Sequence, residues 1–218
     1  MSQFSEHLSK YAIAFIFCTI ALIPTSCTSL SSKQAWTAED GNIIKDGESE
    51  YFIGTNLWYA GRLAGDEAGR ARLVRELDTL KAMGVTNLRV LATEGENLAC
   101  LKYALDRMQE RGMGAVLFLN NAWEWSYGFP DYLEAAGTEK QPRPAVEGYG
   151  AYMKAMAAFC TNDKAIELNH NYIRGIVSAL KKHPAIFSWQ ICNEPRCFSA
   201  SPEVKDSFVK YIHNTAAL

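Results

Sequence analysis

The sequence predicts a parallel α/β fold, a (β/α)8 barrel of which about the first four βα units are present. Beyond residue 50, apolar runs of strand length alternate with amphipathic segments of helix length, and repeated βαβ connections build a parallel sheet. Polar residues stand where those strands end, at Asn56, Arg89, Asn120 or Asn121, and Asn193-Glu194, as in a barrel whose chemistry gathers at one face. An open doubly wound sheet fits less well, because Gly54-Thr55-Asn56 is not a G-x-G-x-x-G fingerprint. A whole barrel takes roughly 250 residues. The chain has 218, and only four strands are legible in it.

The run Tyr51 to Leu57 reads as the first strand. Arg70 to Met83 places Leu73, Val74, Leu77 and Leu80 on one helical face and stops at Gly84. Val85 to Leu91 is the second strand. A helix from about Asn97 to Arg111 follows, with Leu98, Leu101, Leu105 and Met108 inward and Gly112 as its stop. Gly114 to Leu119 is the third strand. An aromatic-rich excursion comes next, Trp123 to Tyr132, with a loop at Pro142-Arg143-Pro144. Tyr149 to Phe159 and Ala165 to Lys182 read as helices, the second turning Ile173, Ile176, Val177 and Leu180 inward. His183-Pro184 ends it before the fourth strand, Ile186 to Cys192, and Phe208 to Leu218 reads as the fourth helix.

The residues are 48% apolar, enough for an ordinary core. The 22 basic and 24 acidic side chains nearly cancel, to a net charge of -2. No single-sign run of the kind that grips phosphate backbones is present, so nucleic acid is not an expected partner.

At the N-terminus, Lys10 precedes the apolar stretch Tyr11 to Ile23, and small residues lead to Cys27. The stretch is shorter than the roughly 20 residues of a membrane span, and the pattern reads as an export signal over 1–27. It resembles a bacterial lipoprotein signal, with Cys27 lipidated, although Pro24 stands where leucine is usual. Residues 28–35 form a tether, and 36–218 the N-terminal half of a barrel domain. Outside the signal, Cys100, Cys160, Cys192 and Cys197 read as free thiols or one disulfide, without a zinc pattern.

The chemistry points to Glu194, since an apolar strand delivers it abruptly between Asn193 and Pro195. A low-dielectric mouth there would suit a carboxyl group used as a general acid. The bland alternative is a surface carboxylate near a helix start. Arg89, on an otherwise apolar strand, calls for an anionic partner or a solvated mouth. Its alternative is an ion pair locking the strand ends. Trp58, Tyr59, Trp123, Trp125 and Tyr127 offer flat faces for sugar rings, though core packing accounts for about half of such aromatics.

Trp189-Gln190-Ile191-Cys192-Asn193-Glu194-Pro195-Arg196 resembles the acid/base motif of glycoside hydrolase family 5, a family of TIM-barrel enzymes. Gly54-Thr55-Asn56-Leu57-Trp58-Tyr59, Gly84 to Val90, and Asn120-Asn121-Ala122-Trp123-Glu124-Trp125 resemble its endo-β-1,4-mannanase branch. The resemblance implies a retaining enzyme acting on β-mannan polysaccharide or oligosaccharide, without cofactor or metal and monomeric when complete, and the N-terminal signal implies export from a bacterial cell. Carried over by position, Glu194 is the proton donor and later the base, Asn193 bonds the sugar 2-hydroxyl, and Arg89 supports the nucleophile. Arg196, Trp123, Trp125, Trp58, Asn56 and Asn121 are the implied substrate contacts.

Retention needs a second carboxyl group roughly 5 to 5.5 Å from the first. The family carries it at the end of the seventh strand, so it is expected beyond Leu218, and this chain alone is expected to be nearly inactive. Two other readings are a family 5 cellulase or glucomannanase, and a non-catalytic glycan-binding lipoprotein remnant. Against the remnant, four βα units alone leave two sheet edges and an apolar helix layer uncovered.

Overall fold

The structure is a computed structural model that describes residues 37–218 apart from 46, 94 and 95. The export signal over 1–27, Cys27 and the tether 28–35 lie outside the described residues. The described chain opens on an antiparallel sheet of β1 (Thr37–Glu39), β2 (Asn42–Lys45) and β3 (Glu48–Ser49). The sequence reading assigned no strands here. The signal was Asp40-Gly41, whose backbone takes φ of 48° and 78°, the conformation of a two-residue hairpin turn.

The wall follows. β4 (Ile53–Asn56) leads through α1 (Ala60–Leu63) and α2 (Glu67–Ala82) to β5 (Val85–Leu91), and α3 (Leu98–Glu110) leads to β6 (Gly114–Phe118). A long connection carries α4 (Phe129–Ala135), α5 (Pro144–Met156) and α6 (Asp163–Leu180) before β7 (Ile186–Gln190), and α7 (Pro202–Ala216) comes last. β4 to β7 are parallel and lie side by side in chain order. All four predicted strands are therefore present in one sheet.

Side chains alternate across that sheet. Leu88 and Val90 of β5 and Ala115 and Leu117 of β6 are fully buried on the helix side, against Leu73, Leu77, Leu101, Leu105, Met108 and Ile173. The opposite side carries Arg89, Phe118 and Gln190, which meet one another directly. This alternation turns polar residues of apolar strands toward the site.

Helix starts are set by side-chain caps. Asp66 accepts the Gly69 N–H at 2.7 Å and starts α2 three residues before the predicted Arg70. Asn97 caps α3 and Asn162 caps α6 in the same way. The long connection is more regular than expected, since α4 begins within the aromatic-rich excursion and α5 begins at Pro144 rather than Tyr149. These elements share a second, aromatic core of Phe129, Tyr132, Tyr152, Phe159 and Tyr211. Phe129 and Phe159 stack at 4.0 Å, and Tyr211 brings α7 into the cluster. Among the described residues no helix is long and apolar enough to cross a membrane. Among the described residues, Cys100, Cys160, Cys192 and Cys197 are all free thiols.

Candidate active site

The C-terminal ends of the four strands converge on a hydrogen-bonded ring of polar side chains. Arg89, from β5, donates through Nε to Gln190 Oε1 at 2.7 Å, and through its two terminal nitrogens to Asn56 Oδ1 at 3.3 Å and Asn193 Oδ1 at 2.9 Å. Its guanidinium lies 4.2 Å from the Phe118 ring centre. Burial pulls the Arg89 pKa down, opposed by the negative charge of Glu194. A guanidinium is basic enough that Arg89 stays charged all the same. Three amide oxygens thus hold a cation that has no ion-pair partner among the described residues. The strand-locking ion pair weighed for Arg89 is not present among them.

Asn193 continues the wall one step past β7. It bridges to Asn121, its N–H reaches the Asn120 carbonyl at 2.8 Å, and its Nδ2 donates to Asn121 Oδ1 at 2.9 Å. Asn121 is fully buried and also donates to Ser126 Oγ at 2.8 Å. Its place is behind Asn193, which differs from the direct sugar contact expected of it. Asn120 is buried too, and its amide donates to the Tyr211 hydroxyl at 2.9 Å.

Glu194 follows with φ of 46°. A non-glycine residue in the left-handed region costs about 1–2 kcal/mol, and such strain gathers at functional positions. Its Oε2 accepts the indole N–H of Trp123 at 2.7 Å and an Arg196 N–H at 3.3 Å. Oε1 has no hydrogen-bond partner among the described residues. The Glu194 side chain is 51% exposed, so the low-dielectric surroundings expected of it are not supplied by the described residues.

A cleft of about 740 Å³ opens over this ring, lined by Asn56, Arg89, Asn193, Glu194 and aromatic side chains. Trp58 and Trp125 stand edge to face at 5.7 Å, both well exposed. Trp123 is less free, with one face stacked on Tyr152 at 5.4 Å and the Arg196 guanidinium 5.7 Å from its ring centre. Arg196 therefore flanks the cleft through Trp123 and Glu194. Its ion pair with Glu194 is solvent-exposed and contributes little, about 0–1 kcal/mol. Gln190, Glu124, Pro144 and Tyr149 complete the site without having been singled out. Gln190 was legible, because it alternates in phase with Ser188 on an apolar strand. No cluster of three or more metal-ligating side chains occurs among the described residues.

A carboxylate, an arginine and two asparagines at the C-terminal ends of parallel strands, under a tryptophan-walled cleft, are the arrangement that barrel enzymes present at their mouths. The family model described as GH family 5 beta-mannosidase-like matches residues 33–98 and 94–218, and the chain belongs to that family. It is 27% identical over 187 residues to mannan endo-1,4-beta-mannosidase A of Podospora anserina, covering 74% of this chain and 45% of the relative. Mannan endo-1,4-beta-mannosidase A of Aspergillus aculeatus is 25% identical, with 77% and 47% covered. The chain thus spans less than half the length of these relatives. Its fold matches the endo-1,4-beta-mannanase of Rhizomucor miehei with a TM-score of 0.62 at 22% identity, over 84% of this chain and 57% of that one. The endo-beta-1,4-mannanase of Thermotoga petrophila gives 0.59 at 17% identity, over 78% and 40%. The four described βα units are part of a (β/α)8 barrel.

Proposed function

We propose that the complete protein hydrolyses internal β-1,4-mannosidic bonds in mannan, glucomannan or galactomannan, with Glu194 as its acid and base. One observation carries this reading: Glu194 is held beside Arg89 and Asn193 in a cleft walled by Trp58, Trp123 and Trp125. The relatives named above, mannan endo-1,4-beta-mannosidases by their names, support mannan as the substrate class.

The geometry suits two-step hydrolysis. Glu194 protonates the glycosidic oxygen through Oε1 while Trp123 and Arg196 hold Oε2, and the second carboxylate attacks the anomeric carbon. Water, deprotonated by Glu194, then releases the sugar with its configuration retained. Arg89 orients the attacking carboxylate, which fits a fixed cation whose described partners are all neutral. That carboxylate belongs to a strand beyond the four described. Asn193 keeps one Nδ2 hydrogen and one Oδ1 lone pair after its two bonds, enough to hold a sugar 2-hydroxyl. Asn121 acts by fixing that amide rather than by touching sugar. Trp58 and Trp125 present faces for sugar rings, and the carbohydrate is the only partner the mechanism requires. Export through residues 1–27, with a lipid on Cys27, belongs to the same proposal.

Reducing-sugar release by the complete protein from mannan and from cellulose tests this reading. Mannan is expected to be cleaved at least about tenfold faster, since a site built to bond one hydroxyl arrangement penalises another. Equal or faster cleavage of cellulose would point to the cellulase reading.

A further inference from the structure

Tyr149 lies on the exposed side of α5, as Val146 does. It is 64% exposed, while Tyr152, one turn further along α5, is 0% exposed. Gly148, immediately before it, has φ 82° and ψ 161° and breaks α5. That conformation is open to glycine and costly for other residues.

The mount beneath it is rigid. Tyr152 is anchored through its hydroxyl, which donates to the Ala122 carbonyl at 2.7 Å, and its ring stacks on Trp123 within 10° of parallel. Trp123 in turn donates to Glu194. Tyr149 meets Trp123 edge to face at 6.0 Å and lines the same cleft as Glu194. An exposed aromatic ring is therefore held in the same cleft as the carboxylate and next to Trp123, whose ring Arg196 also approaches. Glu124 lines that cleft as well, a carboxylate with no hydrogen bond or ion pair among the described residues and so free to accept from a hydroxyl.

We propose that Tyr149 is the platform of a further sugar-binding position beside Trp123, taking a β-1,4-linked hexopyranose unit against its exposed face, with Glu124 accepting from a hydroxyl. This rests on the mannan reading. Flat apolar sugar faces pack on aromatic rings by burying C–H groups, and a tyrosine anchored through its helix loses little freedom in doing so. Binding energy gathered there, away from the cleaved bond, makes the cleft favour long chains over short ones.

Calorimetric titration of the full-length protein tests this, with Glu194→Gln present to prevent turnover and mannotriose and mannohexaose as probes. Tyr149→Ala is expected to weaken mannohexaose binding about tenfold and leave mannotriose nearly unchanged. Tyr149→Phe keeps the ring and is expected to bind as Tyr149 does. Near-UV circular dichroism checks that the Trp123 environment is intact in both variants. Unchanged hexaose binding in Tyr149→Ala, or an equal loss for both sugars, overturns the inference while the mannan reading stands. Failure of mannohexaose to bind the Glu194→Gln protein with Tyr149 in place overturns both.

Discussion

The carboxylate of Glu194 is governed by two donors and a strained backbone, and the larger share falls to Trp123. Its N–H reaches Oε2 at 2.7 Å, whereas the exposed Arg196 contact is 3.3 Å. Trp123→Phe deletes that N–H and keeps an aromatic ring to stack on Tyr152. A hydrogen bond to a charged group is worth about 1.5–3 kcal/mol, so kcat/KM on mannan is expected to fall about tenfold or more with little change in Tm. A drop in Tm with unchanged kcat/KM would assign Trp123 a packing role only. At this scale Glu194, Asn193 and Arg89 were legible, because each is polar at the end of an apolar strand. The burial of Asn121 was not. Neighbouring asparagines at a strand end look alike in sequence, and only the pairing of Asn121 with Asn193 decides which lies behind the other. Tyr149 carried no signal, since Tyr149 and Tyr152 look alike in sequence although one is exposed and the other buried.

Elements rather than single contacts deliver the site. The turn after Asn121 closes tightly on itself, and a Cβ at Gly128 would meet the carbonyl oxygens of Asn121 and Trp123 at 2.3 Å. Gly128→Ala is expected to destabilise the protein by about 1–3 kcal/mol, as overpacking does, measured as a lower urea midpoint. From the other side, α7 reaches the strand end through Tyr211, whose hydroxyl accepts from Asn120 and donates to Asn169 at 3.0 Å. Tyr211→Phe leaves two buried amides short of a partner, at a cost of about 1–3 kcal/mol, readable in the same experiment. A wild-type midpoint in either variant would contradict the packing described. β5 and β6 were legible because buried parallel strands are largely apolar runs. α4 and the full extent of α5 were not, since Pro142 to Pro144 reads as a loop although Pro144 occupies the first turn of a helix, where proline is favoured. The β1 to β3 sheet left its mark in Asp40-Gly41, but its strands are too short to show alternation.

Across the molecule, two cores hold one face of the sheet and the long connection, and a buried histidine joins α6 to α7. His170 Nε2 lies 2.9 Å from Thr215 Oγ1, and its ring stacks on Tyr211. Burial, reinforced by the charge of Arg174, holds its pKa below the ordinary 6.5. The unfolded chain therefore takes up a proton that the folded chain refuses. The stabilisation is complete above about pH 6.5 and is lost as pH falls toward the folded-state value. Urea midpoints of the full-length protein are expected to fall between about pH 7.5 and pH 5, before carboxylates titrate. The fall should be smaller in His170→Asn, and an equal fall in both would remove His170 as its cause. The central claim is that Glu194 gives and takes the proton. It is tested most directly by the rates of full-length Glu194→Gln on mannan and on a dinitrophenyl β-mannoside, whose leaving group departs without protonation. Cleavage of mannan is expected to fall by about 10²–10⁴-fold, while the dinitrophenol burst of the first step is retained. Loss of that burst along with mannan cleavage, or full mannan cleavage by the variant, would contradict the account.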